Sequence, residues 1–185
     1  MLNSDAIDKT KMFLLENFIT SDGYTKSKSA REKVSVNNNS KHKMYVYSIE
    51  KDSVMPISFS NLTGIKIFPN YYQEYDNLKS LEPVEKAITI QAPIYNASGN
   101  LAVFEARSLD NKDRWILQLN LKDATVSELE YQHDEAWIGG PGIPGYNFGN
   151  GTLGFLADNK TIYFQSEATG FSHLYTYNLE TKKKT

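Results

Sequence analysis

The sequence predicts an all-β chain of short antiparallel strands, and three observations predict it. The run from Ile94 to Phe104 is a strand opening, a polar turn (Asn96 to Asn100) and an apolar strand, and its layout returns from Gly154 to Phe164. Each copy then passes through a polar loop into an alternating strand, Trp115 to Leu121 and Leu174 to Leu179. From Ala87 onward nearly every segment reads as strand or turn. A repeat of this size, with turn residues between short strands, is the mark of a β-propeller blade.

The expected architecture is an incomplete β-propeller. It has about two to three blades of four-stranded antiparallel sheet and a small irregular or helical N-terminal segment. Residues 1–43 hold that segment and a mobile polar loop, and residues 44–185 hold the partial propeller, with blade repeats near 87–130 and 150–185. A closed propeller needs roughly four to eight blades. A chain of 185 residues has too few, so it is expected to be a piece of something larger.

In order along the chain, Asp5 to Ile19 places Met12, Leu15, Phe18 and Ile19 on one helical stripe, which favours helix over a strand pair. Ser21 to Lys43 is rich in Ser, Lys and Asn and reads as a surface loop. Met44 to Ile49 alternates, Glu50 to Ser53 turns, and Val54 begins a second strand: the outer hairpin of an earlier blade. Tyr71, Tyr72, Tyr75 and Leu78 at helical spacing predict a surface helix over 70–81, stopped before Pro83. The charges of Asp110, Lys112 and Asp113 predict an exposed loop from Arg107 to Arg114. Glu167 to Gly170 reads as a hairpin loop closed by the positive φ of Gly170. Between the copies, Tyr131 to Gly142 ends in glycines and prolines that let backbone and ligand approach closely.

Bulk properties exclude several classes. The net charge of −2 and a pI near 5.9 offer no basic face to nucleic acid. No cysteine means no disulfide and no thiolate metal site. No run approaches the length of a membrane-spanning helix.

The segments Asn111 to Ile116, His133 to Gly142 and Phe164 to Tyr175 resemble the prolyl oligopeptidase family of serine peptidases. The likeness is to the N-terminal propeller of its dipeptidyl peptidase IV branch and covers Ala87 to Thr181 best. It implies a parent that removes short peptides from chain N-termini, a propeller that gates and positions peptide substrate, and a separate α/β-hydrolase domain carrying the Ser, Asp and His. It also implies a periplasmic or secreted parent. The chain is expected to end before that domain begins. Gly140, Pro141 and Gly142 stand where some relatives carry aromatic and arginine side chains, and the branch's pair of amine-binding glutamates has no match here.

No catalytic residue is assigned. The nucleophile elbow Gly-x-Ser-x-Gly is absent, Ser98 and Ser166 lack that setting, and the only bases of the right type are His42, His133 and His173. No metal or cofactor site is assigned either, because His133, Asp134 and Glu135 are consecutive and would alternate across a strand. The substrate-channel candidates are His133, Asp134, Glu135, Trp137 and Glu167. Against that stand plainer readings: Trp137 as an anchor packed under the Gly-Pro loop, Glu167 as an exposed hairpin-tip carboxylate, and His173 paired across its strand or bound to a backbone carbonyl. Tyr45, Tyr47, Tyr163, Tyr175 and Tyr177 read as sheet-face packing. The expected function is therefore a non-catalytic propeller piece that gates and positions peptide. The alternative is a stand-alone interaction module, with self-association possible through unpaired edges.

Overall fold

The structure is a computed structural model that describes residues 2–3, 14–30, 42–144 and 151–185. Strands make up 41% of the chain and helix 6%, so the all-β class holds. The strands run β1 (Leu2–Asn3), β2 (Leu14–Asn17), β3 (Lys26–Ser29), β4 (Lys43–Ser48), β5 (Ser53–Pro56), β6 (Ile88–Ile90) and β7 (Ile94–Tyr95). They continue with β8 (Leu101–Ser108), β9 (Asp113–Asn120), β10 (Thr125–His133), β11 (Leu153–Phe155), β12 (Thr161–Ser166) and β13 (His173–Asn178). Two compact units result, Ser4–Lys41 and Met1–Asn3 with His42–Thr185.

In the smaller unit β2 pairs antiparallel with β3 through a turn in which Gly23 donates to Thr20 at 3.2 Å. Residues 14–17 are therefore strand, not the expected helix: a stripe of four apolar residues is too sparse to outweigh a hairpin turn beside it. The rest of that prediction, at residues 5–13, lies outside the described residues. The expected polar loop is interrupted by strand at 26–29, and its stretch from 31 to 41 also lies outside them.

The larger unit is organised around a central antiparallel sheet. β8 pairs with β9 and β9 with β10, while β6 and β7 share the remaining edge of β8. β6 and β7 thus act as one strand broken at Gln91–Pro93, where proline has no N–H for the ladder. A three-stranded sheet holds β11, β12 and β13, and another holds β1, β4 and β5. None of these sheets closes into a barrel among the described residues.

The sequence repeat is a geometric repeat. In the first copy, positive φ falls at Gly99, Asn111 and Ala124, one in each turn joining β7, β8, β9 and β10. In the second it falls at Asn159, Gly170 and Lys182, at matching places in the turns around β12 and β13. The turn bonds match as well: Gly99 donates to the Asn96 carbonyl at 3.0 Å and Asn159 to that of Leu156 at 3.0 Å. Asn120 Oδ1 caps Lys122 N at 3.0 Å as Asn178 Oδ1 caps Glu180 N at 3.1 Å. After Lys182 the chain turns back on β13, with Asn178 donating to Lys183 at 3.0 Å and Thr185 to Thr176 at 2.9 Å. Residues 183–185 thereby occupy the place that β10 holds in the first copy.

The two copies pack face to face. Val103, Ile116 and Leu129 from the central sheet meet Ile162, Phe164 and Leu179, with Tyr175 and Tyr177 against this cluster. The opposite face of the central sheet buries Phe104, Trp115, Leu117 and Leu119 with Met44, Ile57, Leu62 and Ile65. Trp115 fixes that second layer by donating from Nε1 to the Thr63 carbonyl at 2.8 Å. The helix expected over 70–81 is shorter and split: a 3-10 helix at Asn70–Glu74, then α1 at Asp76–Lys79, separated by the extended Tyr75. No helix among the described residues is long and apolar enough to cross a membrane.

Candidate functional site

The segments that carry chemistry collect at one end of the central sheet, where β8 stops, β9 starts and β10 stops. Strand alternation sends the consecutive residues Asp113 and Arg114 to opposite faces there. Each face is covered by a neighbouring layer, so each charge is buried, and each has gathered partners. The expectation of a fully exposed loop from Arg107 to Arg114 is thus corrected. Asp113 and Arg114 are both 0% exposed and Arg107 is 7% exposed, whereas Asp110 at the loop tip is exposed.

On one face Asp113 accepts from three donors: Lys86 Nζ, Tyr131 Oη at 2.8 Å and His133 Nδ1 at 2.8 Å. His133 stands directly opposite Asp113 in the β9–β10 ladder. Its Nε2 reaches Glu135 Oε1 at 3.1 Å, and Glu135 also accepts from Asn70 Nδ2 at 2.7 Å and faces Lys112 Nζ at 3.6 Å. Burial opposes charge on Asp113, but its hydrogen bonds from Lys86, His133 and Tyr131 outweigh it and hold the carboxyl below its ordinary pKa. Burial also opposes charge on His133, and hydrogen bonds to Asp113 and Glu135 outweigh it, so the imidazole pKa is raised. When protonated, the His133 ring donates from both nitrogens, one to each carboxylate.

On the other face Arg114 donates to Glu105 Oε2 at 2.6 Å, to the Gln165 carbonyl at 2.7 Å and to Gln132 Oε1 at 3.2 Å. Gln132 Nε2 continues the network to Ser166 Oγ at 2.6 Å. Arg107 donates to the carbonyls of Ile138, at 2.7 Å, and Pro144, and to Asn111 Oδ1 at 3.2 Å. Burial raises the Glu105 pKa, with Arg114 and Arg107 opposing it. The contact between the two repeat copies is therefore apolar at one end and an ordered polar network at the other.

The five candidates from the sequence fall at this end but do different things. His133 and Glu135 meet. Asp134 turns away, and its Oδ1 accepts from the backbone of Ala136 at 2.7 Å and Trp137 at 2.9 Å, which holds its pKa down. Among the described residues no group of three His, Asp or Glu is placed to hold a metal ion. Trp137 is 63% exposed, so it is no buried anchor; its indole lies against Gly139. Glu167 is exposed, as the hairpin-tip reading expects, and its carboxylate lies against Gly140. His173 sits opposite Ser166 across the ladder, with its ring edge-on to Tyr175. Sequence reasoning missed Glu105, Arg114 and Gln132. The available signal was Glu105 and Arg107 at a spacing of two inside the otherwise apolar strand β8.

Loops from separate parts of the sequence are tied together here. Ile138 donates to Asn111 at 2.8 Å, Asp134 to Lys112 at 2.9 Å, and Ser172 Oγ to the Pro141 carbonyl at 3.4 Å. Gly142 is the tightest point: at φ +75° its Cα lies against the Gln165 side chain, which any Cβ would overlap. Gly142→Ala is expected to destabilise the protein by about 1–2 kcal/mol or more through backbone strain alone. Urea titration checks this, and an unchanged midpoint would remove Gly142 as the clamp of this loop.

The geometry provides a charged rim with one exposed indole and no serine hydroxyl paired to a histidine among the described residues. Comparison with protein-family models and with curated proteins yields no match to this chain.

Proposed function

We propose that this chain is a non-catalytic part of a β-propeller that gates and positions peptide substrate for a dipeptidyl peptidase IV-like serine peptidase. Bond cleavage would be performed by an α/β-hydrolase domain outside this sequence. One observation carries the reading. The three segments that resemble the prolyl oligopeptidase family, Asn111 to Ile116, His133 to Gly142 and Phe164 to Tyr175, are far apart in sequence yet hydrogen-bonded into one cluster. Consecutive antiparallel meanders stacked face to face, the second of three strands with residues 183–185 along its free edge, support the propeller part of the proposal. His133, with each ring nitrogen against a carboxylate, suits a structural rim and not a general base.

A second reading, a stand-alone protein-interaction module, is favoured by the exposure of Trp137 (63%) and Phe171 (76%) on the joined loops and of Leu174 (62%) at the start of β13. One experiment separates the two. A fluorescent peptide with a free Xaa-Pro N-terminus is titrated into the chain, alongside a chromogenic Xaa-Pro anilide. Saturable anisotropy change, a loss of about 2 kcal/mol in Trp137→Ala and no anilide turnover are expected. Turnover would refute the non-catalytic assignment; binding no better than that of an N-acetylated scrambled peptide would leave the interaction module.

A further inference from the structure

His133 joins two carboxylates that differ in how much they need it. Its Nδ1 lies 2.8 Å from Asp113 Oδ1, and its Nε2 lies 3.1 Å from Glu135 Oε1. The Asp113 side chain is 0% exposed and that of Glu135 is 49% exposed. The same oxygen, Glu135 Oε1, also accepts from Asn70 Nδ2 at 2.7 Å. Asn70 opens the 3-10 helix at Asn70–Glu74, so this one atom links that helix to the end of β10. An ionised carboxylate has no proton to give, so both His133 contacts are hydrogen bonds only when the ring is protonated.

A neutral ring keeps one N–H and turns a lone pair on the other carboxylate. The N–H stays with Asp113, because a buried acceptor has no water to replace a lost donor. Nε2 then faces Glu135 Oε1 acceptor against acceptor, and the half-exposed Glu135 side chain can turn to water. Among the described residues no neighbouring charge prevents this. Lys86 and Tyr131 donate to Asp113, and the Tyr131 ring lies beside the imidazole at a centroid distance of 6.5 Å. Asp134 accepts from the Ala136 and Trp137 backbone, Asp110 from Ser108 Oγ and the Lys112 backbone, and Glu128 from the Thr63 backbone. The Lys112 ammonium binds the Glu135 carbonyl, and at 3.6 Å from Oε2 it is too far to fix the carboxylate by a hydrogen bond. We propose that His133 is a proton-operated latch: the protonated ring holds Glu135 Oε1 against Asn70, and the neutral ring releases that contact. The backbone of the adjoining loop stays in place in both states, since Asp134 N and Ile138 N donate to Lys112 and Asn111, away from the ring. Partial burial lowers the ring pKa, and hydrogen bonds to Asp113 and Glu135 outweigh it, which places the change above the ordinary 6.5. The latch needs neither a peptide nor a hydrolase domain, so it does not rest on the peptidase reading.

A pH titration of the full chain followed by nuclear magnetic resonance tests it, with ring signals of His133 and the side-chain amide of Asn70 as reporters. The His133 ring is expected to titrate with a midpoint above 6.5, and the Asn70 amide protons to shift with that same midpoint. The backbone amides of Asp134 and Ile138 should move far less across it. Glu135→Gln removes one of the two negative partners, so the His133 midpoint is expected to fall and the Asn70 shift to disappear. His133→Gln has no proton to lose and should leave Asn70 insensitive to pH over the same range. The proposal is overturned if His133 titrates at or below 6.5, if Asn70 keeps its shifts across the His133 midpoint, or if Asp134 and Ile138 move as much as Asn70. The titration of the unaltered chain decides each of these, so a misfolded variant would not remove the test.

Discussion

Arg114→Ala is expected to lower the unfolding free energy by about 3–5 kcal/mol, the range for breaking one side of a buried ion pair. Arg114 is fully buried and supplies donors to Glu105, Gln132 and the Gln165 carbonyl. Its loss strands a carboxylate that is 2% exposed, along with acceptors on both repeat copies. Small domains have about 5–15 kcal/mol in total, so the variant should unfold at a much lower urea midpoint. Replacing the pair together, Glu105→Leu with Arg114→Met, should recover most of the loss, since two apolar groups of similar volume need no partner. If Arg114→Ala costs under about 1 kcal/mol, the network is solvated and the dry polar contact between the copies is refuted.

Asp113→Asn should be nearly as severe, about 3 kcal/mol, because it leaves the Lys86 ammonium, 11% exposed, without its counter-charge. It should also change the pH profile. The folded pKa of Asp113 lies below its ordinary 3.8, so its contribution is present above that value and lost as pH falls through the folded pKa. The folded pKa of His133 lies above its ordinary 6.5, so its contribution is full below pH 6.5 and lost as pH rises through the raised pKa. The contribution of this Asp113–His133 pair is therefore expected to be greatest between about pH 4 and pH 6.5. His133→Gln should flatten the alkaline limb and spare the acid one. An unchanged alkaline limb would show that His133 is not the imidazolium between Asp113 and Glu135.

These two predictions concern adjacent residues, and that adjacency explains why the site was only partly legible. The run Ser108-Leu109-Asp110-Asn111-Lys112-Asp113-Arg114 looks like a solvated loop, and charged residues are seldom fully buried. Burial of Asp113 and Arg114 depends on β9 lying in the middle layer of three, with a sheet over each face. Nothing within a few residues encodes that. His133 ends β10 and Glu135 lies in the bend after it, so their meeting, and the bonds of Asp134 to the Ala136 and Trp137 backbone, come from that bend and not from strand alternation. Lys86 and Asn70, which complete this cluster, come from a distant stretch with no local mark. At the other end of the chain, the stripe of Met12, Leu15, Phe18 and Ile19 suggested helix, yet residues 14–17 are strand. Short apolar runs fit both periods, and the turn at Gly23 decided between them.

What the sequence by itself determined is the all-β character, the repeat and the places where the chain turns. These rest on local chemistry: Asn and Gly tolerate positive φ, and alternating apolar residues suit a pleated surface. What only the tertiary structure decided is which charges are buried and which loops meet. Those outcomes depend on how separate sheets stack, and stacking is set by the fit of whole faces rather than by any short stretch of residues.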